Sequence, residues 1–275
     1  MNPMWPWVAG ITVFVLALLS VIYVRHRIHR VRTLNRLAEQ RAQWVREYSF
    51  KIKAEGIHVE LARRFGRDRL VRVENFLSLS DLQRLRSEAT ANIPRMVFSY
   101  IPTHKKGHTL SYENIQRHAP TCVGLYHSDE LREWVSAVTG TRVEPTPDQD
   151  QSSLSLLCYR EAGDHINWHY DHNFYRGRHF TVLLSLANES LTGGVSQSQL
   201  IRKTAGSEEK VDTSANVLVL FEGAKVLHRA SPTAKGDLRI MLSMTFCTDP
   251  RISPFKEVAR RFKDTAFYGI RALWD

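Results

Sequence analysis

His169-Tyr170-Asp171, answered further along the chain by His228 and then by Arg239, constrains this sequence more than any other feature. In an extended backbone, residues i and i+2 share a face. His169 and Asp171 can therefore project into one cavity while Tyr170 turns away. A distant imidazole, His228, would complete two nitrogens and one carboxylate oxygen on one face of a metal ion. Such a set leaves coordination positions open and suits non-haem Fe(II). It contains no thiolate, which argues against structural zinc. Arg239 adds a permanently charged planar fork matched to a carboxylate.

The flanking segments sharpen this pattern. Leu154 to Asp171 reads LSLLCYREAGDHINWHYD, and an apolar run follows from Phe180 to Leu186, FTVLLSL. Gly193-Gly194 comes next, then Asn216 to Phe221, NVLVLF. Leu227-His228-Arg229-Ala230-Ser231-Pro232 and Gly236-Asp237-Leu238-Arg239-Ile240 lead into MLSMTF. An HxD pair alone occurs by chance in many proteins, whereas this ordered set is specific. Over roughly residues 150 to 248 it resembles the iron- and 2-oxoglutarate-dependent dioxygenase superfamily, most of all its prolyl-4-hydroxylase-like branch.

That resemblance implies a mostly β catalytic core, a double-stranded β-helix or jelly roll, with flanking helices. Carried over position by position, it makes His169, Asp171 and His228 the iron ligands. Arg239 would hold the distal carboxylate of 2-oxoglutarate, and Tyr159 would hydrogen-bond the same co-substrate, although other residue types serve there in relatives. The implied cofactors are Fe(II), 2-oxoglutarate and O2, with ascorbate an additional candidate. The implied reaction couples decarboxylation of the keto acid, giving succinate and CO2, to oxidation of an unactivated C–H bond. Halogenating relatives generally lack the carboxylate that Asp171 supplies, so its presence favours hydroxylation or a related oxidation. Asn167, Trp168, Asn173, Arg176 and Arg178 flank the motif and are candidate substrate contacts. His165, His172 and His179 read as pocket-rim residues rather than a second metal site.

The N-terminus makes a separate statement. Trp7 to Val24 carries no charge and, as a helix, would span roughly 27 Å at 1.5 Å per residue, close to a hydrocarbon core. Trp5 and Trp7 at one end and Tyr23 at the other stand where interfacial aromatics would. No Lys or Arg precedes the run, which favours a retained transmembrane helix over a cleaved leader. Arg25, Arg27, Arg30, Arg32, Arg36, Arg41 and Arg46 follow, against only Glu39 and Glu47, and the chain as a whole carries a net charge of +10. Cationic flanks stay on the cytoplasmic side. The expectation is a single-pass membrane protein whose catalytic domain is cytosolic, with anionic headgroups as partners of the arginines. A nucleic-acid site is disfavoured because the basic run abuts a membrane helix. Oligomeric state is not legible.

The expected organisation over 275 residues is therefore an anchor (1–24), a basic juxtamembrane helix (25–47), a support region (48–150), the barrel (151–250) and an amphipathic C-terminal helix (251–275). In the support region Leu70 to Leu77 reads as a strand, and Ser80 with Gln83 as a capping box opening a helix to about Ala91. Leu131 to Val138 reads as a helix ending near Gly140, and Pro145, Pro147 and DQDQSS as a polar linker. After the barrel, Ser253-Pro254 reads as a helix start. Phe255, Val258, Ala259, Phe262, Ala266, Ile270 and Leu273 then share one face, opposite Lys256, Arg260, Arg261, Lys263 and Arg271. The apolar face is expected either to pack on the catalytic domain or to lie on the membrane, and Trp274 fits both. Cys122, Cys158 and Cys247, the only 3 cysteines, read as small buried hydrophobes. A membrane-anchored oxygenase acting on a lipid-like or membrane-associated small molecule is the leading functional reading. A protein hydroxylase acting on prolyl or other side chains is the alternative, and a non-catalytic binding protein on the same barrel is the third.

Overall fold

The computed structural model describes residues 5–52 and 58–269. The chain divides after Gln43 into two compact units. The first holds most of a single helix, α1 (Trp5–Glu47). The anchor and the basic segment, expected as separate elements, are thus one uninterrupted helix. Nothing between Val24 and Arg25 breaks it, since neither Pro nor Gly intervenes. From Gly10 onward it is long and apolar enough to cross a bilayer, and none of its apolar window is buried. Ser20 turns its hydroxyl back onto the Leu16 carbonyl at 2.8 Å, so this polar group is satisfied within the helix. The side chains of Trp5 and Trp7 fall outside the described residues, as do Ile270, Arg271, Leu273 and Trp274.

The second unit carries α2 (His58–Asp68), β1 (Leu70–Val73), α3 (Leu79–Ala91), the hairpin β2 (Val97–Ile101) and β3 (Lys105–Leu110), α4 (Tyr112–His118), α5 (Pro120–Tyr126) and α6 (Asp129–Thr139). There follow β4 (Glu144–Pro145), β5 (Leu154–Tyr159), β6 (His165–His169), β7 (His179–Ser190), β8 (Leu200–Thr204), β9 (Ser207–Val211), β10 (Leu218–Glu222), β11 (His228–Ala230), β12 (Asp237–Cys247) and α7 (Pro254–Tyr268). The strands run antiparallel in the order β1-β10-β7-β12-β5-β3-β6-β11-β8-β9, with β2 on β3 and β4 on β12. This is the expected jelly roll. The continuous apolar runs became β7, β10 and β12, which are central strands covered on both faces. Gly193 and Gly194 make the turn after β7 at φ 92° and 76°, where a Cβ would be strained. One apolar cluster joins the inner helices to the sheet through Leu85, Ile115, Trp134, Leu184 and Leu220. A second, with Leu183, Val219, Phe221 and Met241, lies on the side facing the cavity.

The support region differs from expectation in detail. Helix α3 is capped by Ser78 rather than Ser80: Ser78 Oγ accepts from the Asp81 amide at 3.1 Å and donates to the Asp81 carboxylate at 2.7 Å. Asp81, three residues after Ser78, serves the cap in place of Gln83. The strand expected to Leu77 stops at Val73 because Asn75 turns left-handed at φ 50°. Phe76 and Leu77 then enter the core, and the Asn216 side chain binds both the amide and the carbonyl of Leu77 at 3.0 and 2.9 Å. Helix α6 has the expected position, with Ser128 as cap and Gly140 left-handed at its end. All three cysteines are buried and unpaired.

Two corrections matter for the site. The segment from Pro145 to Ser153 is not a solvated linker: Thr146, Asp150, Gln151 and Ser153 are buried. Its polar groups satisfy one another, with Thr146 Oγ1 donating to Ser153 Oγ at 2.7 Å and the Ser152 amide to Asp150 at 3.0 Å. Helix α7 also packs with its charged face inward. Arg260 and Asp264 are buried, whereas Phe255 is 84% exposed and Phe262 65%. The cause is electrostatic. The barrel presents the buried Asp150 carboxylate and the Gln149 carbonyl to this helix, and Lys263 pairs with Asp150 at 3.0 Å while Arg260 donates to Gln149 at 2.6 Å. A buried carboxylate demands a paired cation more than an apolar stripe demands cover.

Candidate metal centre

Strands β6 and β11 pair so that His169 and His228 stand directly opposite each other. Asp171 follows two residues after His169, and its backbone is pinned by a bond from its amide to the Gly223 carbonyl at 3.1 Å. One ligand atom from each of these three side chains lies within 4.8 Å of the others. Asp171 Oδ1 stands 3.5 Å from His169 Nε2 and 3.8 Å from His228 Nε2. The other carboxylate oxygen, Oδ2, accepts the Thr181 hydroxyl at 2.5 Å.

The tautomers follow from the partners. His169 Nδ1 lies 2.7 Å from the Asn167 carbonyl, and His228 Nδ1 lies 3.0 Å from that of Val226. A carbonyl can only accept, so both Nδ1 atoms carry protons, and Nε2 is the atom of each ring turned toward Asp171 Oδ1. Such carbonyl bonds to the far ring nitrogen fix the orientation of ligating histidines. Burial pushes the His228 imidazolium down, although Asp171 opposes this. Burial also disfavours charge on Asp171, but His228, His169 and the Thr181 hydroxyl outweigh it and hold the carboxyl well below the usual range. Two neutral imidazoles and one carboxylate are the protonation states a divalent metal needs. The donor set therefore fits Fe(II), and His165, His172 and His179 are not part of the cluster.

The three donors open into a cavity of roughly 150 Å³ between the two layers of strands. Arg239 of β12 reaches it from the opposite layer, beside Tyr159, its partner in the β5 ladder. Its guanidinium lies 5.4 Å from the Tyr159 ring centroid. Arg239 is only 2% exposed, yet no carboxylate pairs with it among the described residues and its Nε has no acceptor. Burial alone lowers the pKa of this guanidinium, and burial lifts the Tyr159 phenol to about 12. A buried unpaired cation is costly. One that faces a metal site fits an anionic co-substrate that brings the missing carboxylate.

The sequence-derived residues separate cleanly. His169, Asp171, His228, Arg239 and Tyr159 meet in the cavity, and His172 and His179 join its lining. Asn167, Trp168, Asn173, Arg176 and Arg178 do not line it. Asn167 holds the Thr103 carbonyl at 3.0 Å, and Trp168 lies under Arg229 at 4.7 Å. Asn173, Arg176 and Arg178 border a separate shallow groove, where Arg178 is paired with Glu222. The structure adds residues that no motif flagged: His104 and Lys105 from the β2–β3 hairpin, Asp150, Thr181, and Lys263 and Phe267 from α7. Gly223 was missed too. A Cβ there would fall 2.7 Å from Asp171 Cβ, so the close approach that pins Asp171 requires glycine.

Residues 154–246 match the family model of the 2OG-Fe(II) oxygenase superfamily, and residues 54–176 match that of HalD, Halogenase D. A prolyl hydroxylase from Trichoplax adhaerens, solved with a hypoxia inducible factor oxygen degradation domain peptide fragment, shares the fold at a TM-score of 0.58 and 17% identity, over 72% of this chain and 91% of that one. A Pseudomonas putida prolyl-4-hydroxylase gives a TM-score of 0.54 at 17% identity, over 70% and 98% of the two chains. The alpha ketoglutarate dependent epimerase SnoN from nogalamycin biosynthesis gives 0.58 at 14%, over 69% and 80%. No curated protein sequence matches this chain. The barrel belongs to the 2OG-Fe(II) oxygenase superfamily and has the fold of its prolyl hydroxylases. By class the protein is an Fe(II)/2-oxoglutarate-dependent oxygenase.

Proposed function

We propose that this oxygenase is membrane-anchored and hydroxylates a C–H bond of a lipid-like or membrane-associated small molecule. The observation that carries the chemistry is the convergence of two Nε2 atoms and Asp171 Oδ1 in one cavity with the unpaired Arg239. His169, Asp171 and His228 would hold the iron. Arg239 would anchor the distal carboxylate of 2-oxoglutarate, with Tyr159 beside it. The chemistry supplied there by bound iron, 2-oxoglutarate and O2 would be reduction of O2 coupled to decarboxylation of the keto acid to succinate and CO2, one oxygen atom going to succinate and the other to the substrate. The chain's own part is positioning. Carbonyl bonds to both Nδ1 atoms fix the rings, Thr181 orients the Asp171 carboxylate, and Leu157, Leu183, Phe221 and Met241 supply apolar walls. The match to a halogenase model includes the HxD segment, yet Asp171 Oδ1 takes the position that a halide ligand would need, which supports oxygen insertion.

The membrane part rests on α1 and on the outward face of α7. The apolar window of α1 is exposed throughout. On α7, Phe255, Val258 and Phe262 point outward, and the neighbouring β2 adds exposed Val97, Phe98 and Tyr100. Lys263 and Phe267 of the same helix line the cavity. The helix that carries this apolar surface therefore also forms part of the cavity wall, and a bilayer surface is the occupant that suits both it and an anchored chain. Arginines after the apolar run support a cytosolic catalytic unit and contact with anionic headgroups.

The test uses the full chain in lipid nanodiscs with Fe(II) and 2-oxoglutarate. Adding a membrane lipid extract should raise succinate release above the substrate-free rate and yield a lipid product heavier by one oxygen atom. Stimulation by a peptide digest instead would support protein hydroxylation and sink the lipid reading. No succinate under any condition would make the barrel a binding protein.

A further inference from the structure

The cavity holds two cations without carboxylate partners, and the co-substrate accounts for one of them. Lys263 is paired with Asp150 at 3.0 Å and Asp264 at 2.8 Å, so its charge is spoken for. Arg239 awaits the distal carboxylate of 2-oxoglutarate under the reading above. Lys105 remains. It lies on β3, is only 2% exposed and lines the cavity. No hydrogen bond or ion pair of its ammonium is found among the described residues. Its one described partner is the Phe267 ring, with Nζ 4.5 Å from the centroid. Burial, and then the nearby Lys263, push its pKa down to about 7. A Lys is almost never buried without a partner, and a cation–π contact does not replace the lost hydration.

Its place on the sheet separates it from the co-substrate position. Gly107 packs against the Tyr159 ring, and Tyr159 is the ladder partner of Arg239. Lys105 is two residues from Gly107 on the same strand, hence on the same face, and two strands from β12. With about 3.3 Å per residue and 4.8 Å per strand, the Lys105 and Arg239 backbones are on the order of 10 Å apart. Lys105 instead sits next to the metal donors: it pairs with Ile166, and the ring of its neighbour His104 lies 5.8 Å from that of His169.

We propose that Lys105 is the anchor for an anionic group of the oxidised substrate, a carboxylate or a phosphate. This rests on the oxygenase reading and narrows its substrate to an amphiphile whose acidic group is buried near the iron ligands. An arriving anion favours the charged ammonium and repays its desolvation. The two unmatched cations thus sort two anions, the co-substrate at Arg239 and the substrate at Lys105.

The test titrates water-soluble probes into the Fe(II)- and 2-oxoglutarate-loaded full chain in nanodiscs under argon. Hexanoate, hexyl phosphate and hexanol share an alkyl chain and differ in the head. The unaltered protein should bind one or both anions at least tenfold more tightly than hexanol, and the tighter anion names the head group. Lys105→Met should abolish that preference, and Lys105→Arg should restore most of it. Methionine fills similar volume, and replacing a buried charge by an apolar side chain is often neutral or stabilising, so the variant is expected to fold. Equal binding of anions and hexanol by the unaltered chain would overturn the proposal, as would an undiminished anion preference in Lys105→Met. A loss of 2-oxoglutarate affinity in Lys105→Met matching that in Arg239→Met would also overturn it, placing Lys105 in the co-substrate site. Absence of succinate release from the unaltered chain would reject the oxygenase reading separately, because anion binding is read without turnover.

Discussion

Replacing Arg239 should move two observables in opposite directions. In the absence of co-substrate the guanidinium is buried, faces no carboxylate and leaves Nε without an acceptor. Such a group costs about 1–3 kcal/mol. Its approach to the Tyr159 ring returns about 1 kcal/mol of that. Arg239→Met should therefore stabilise the ligand-free protein by about 1 kcal/mol, or roughly 3 °C in melting temperature for a unit of this size. Binding responds the other way. Loss of a charged hydrogen bond costs about 1.5–3 kcal/mol, so the 2-oxoglutarate dissociation constant should rise about 10- to 150-fold. Arg239→Lys keeps the charge and loses the fork, so it should still weaken binding by about tenfold or more. The assay is an anaerobic thermal melt with Fe(II), with and without 2-oxoglutarate. The unaltered protein should show a large upward shift on adding the keto acid, and Arg239→Met a higher starting point with little shift. If Arg239→Met melts lower without ligand and keeps the full shift, Arg239 is a structural cation and another residue holds the keto acid.

Four further outcomes follow from the same geometry. His169→Ala, Asp171→Ala and His228→Ala should each abolish succinate release while circular dichroism stays native, and full activity in any of them would reject the metal assignment. Gly223→Ala should push Asp171 out of line, since its Cβ would lie 2.7 Å from Asp171 Cβ; iron affinity should drop about tenfold or more, as when a residue that orients a metal ligand is changed, and unaltered affinity would show that the backbone yields freely. Lys105 is pushed down to about 7 in the fold, so the unfolded chain binds more protons above that pH and ligand-free stability should rise from about pH 7 to 10, by up to ~1.4 kcal/mol per pH unit. Denaturant melts of Lys105→Met should lack this rise, and an identical pH slope would show that Lys105 stays charged. Finally, protease added to sealed vesicles with their cytosolic face outward should digest the catalytic unit, and protection there would put it on the other side.

Legibility in the sequence followed how locally each feature is encoded. The His169, Asp171, His228 and Arg239 set could be read because each lies in a short, ordered strand context, and the structure brings all four into one cavity. Long apolar runs fixed β7, β10 and β12 for the same reason. Thr181, Gly223 and Lys105 could not be read, because their roles exist only across strands: Thr181 meets Asp171 from β7, and Lys105 enters from β3. Alternation along the β2–β3 hairpin was the available signal for Lys105, since it shares an inward face with Gly107. The flanking substrate candidates illustrate the converse. Closeness in sequence to HxD placed Asn167 and Arg176 near the site in number, yet Asn167 turns to the Thr103 carbonyl and Arg176 borders the separate groove.

Helix α7 shows why an amphipathic pattern can be read correctly and still be oriented backwards. Periodicity says that Phe255, Val258 and Phe262 share a face; it does not say which face the protein covers. That choice was made by Asp150, a carboxylate in a segment whose composition suggested solvent. Once Asp150 is buried, its charge must be matched within hydrogen-bond reach, and Lys263 at 3.0 Å is the residue that does so, with Arg260 and Asp264 completing the pairing. Burying the apolar stripe instead would recover roughly 1.5–3 kcal/mol per large side chain but leave an unpaired carboxylate, a loss of about 3–5 kcal/mol, and strand two cations as well. The inward charged face thus follows from the site, and the outward apolar face is its by-product. The proposed attachment to a bilayer would use this by-product, because the same helix that shows Phe255 and Phe262 to its surroundings carries Lys263 and Phe267 into the wall of the cavity. Phe255→Ser with Phe262→Ser should then weaken attachment of the isolated catalytic unit to anionic vesicles without lowering its melting temperature, since neither side chain is buried. A fall in stability instead would mean that the stripe is covered from within the protein.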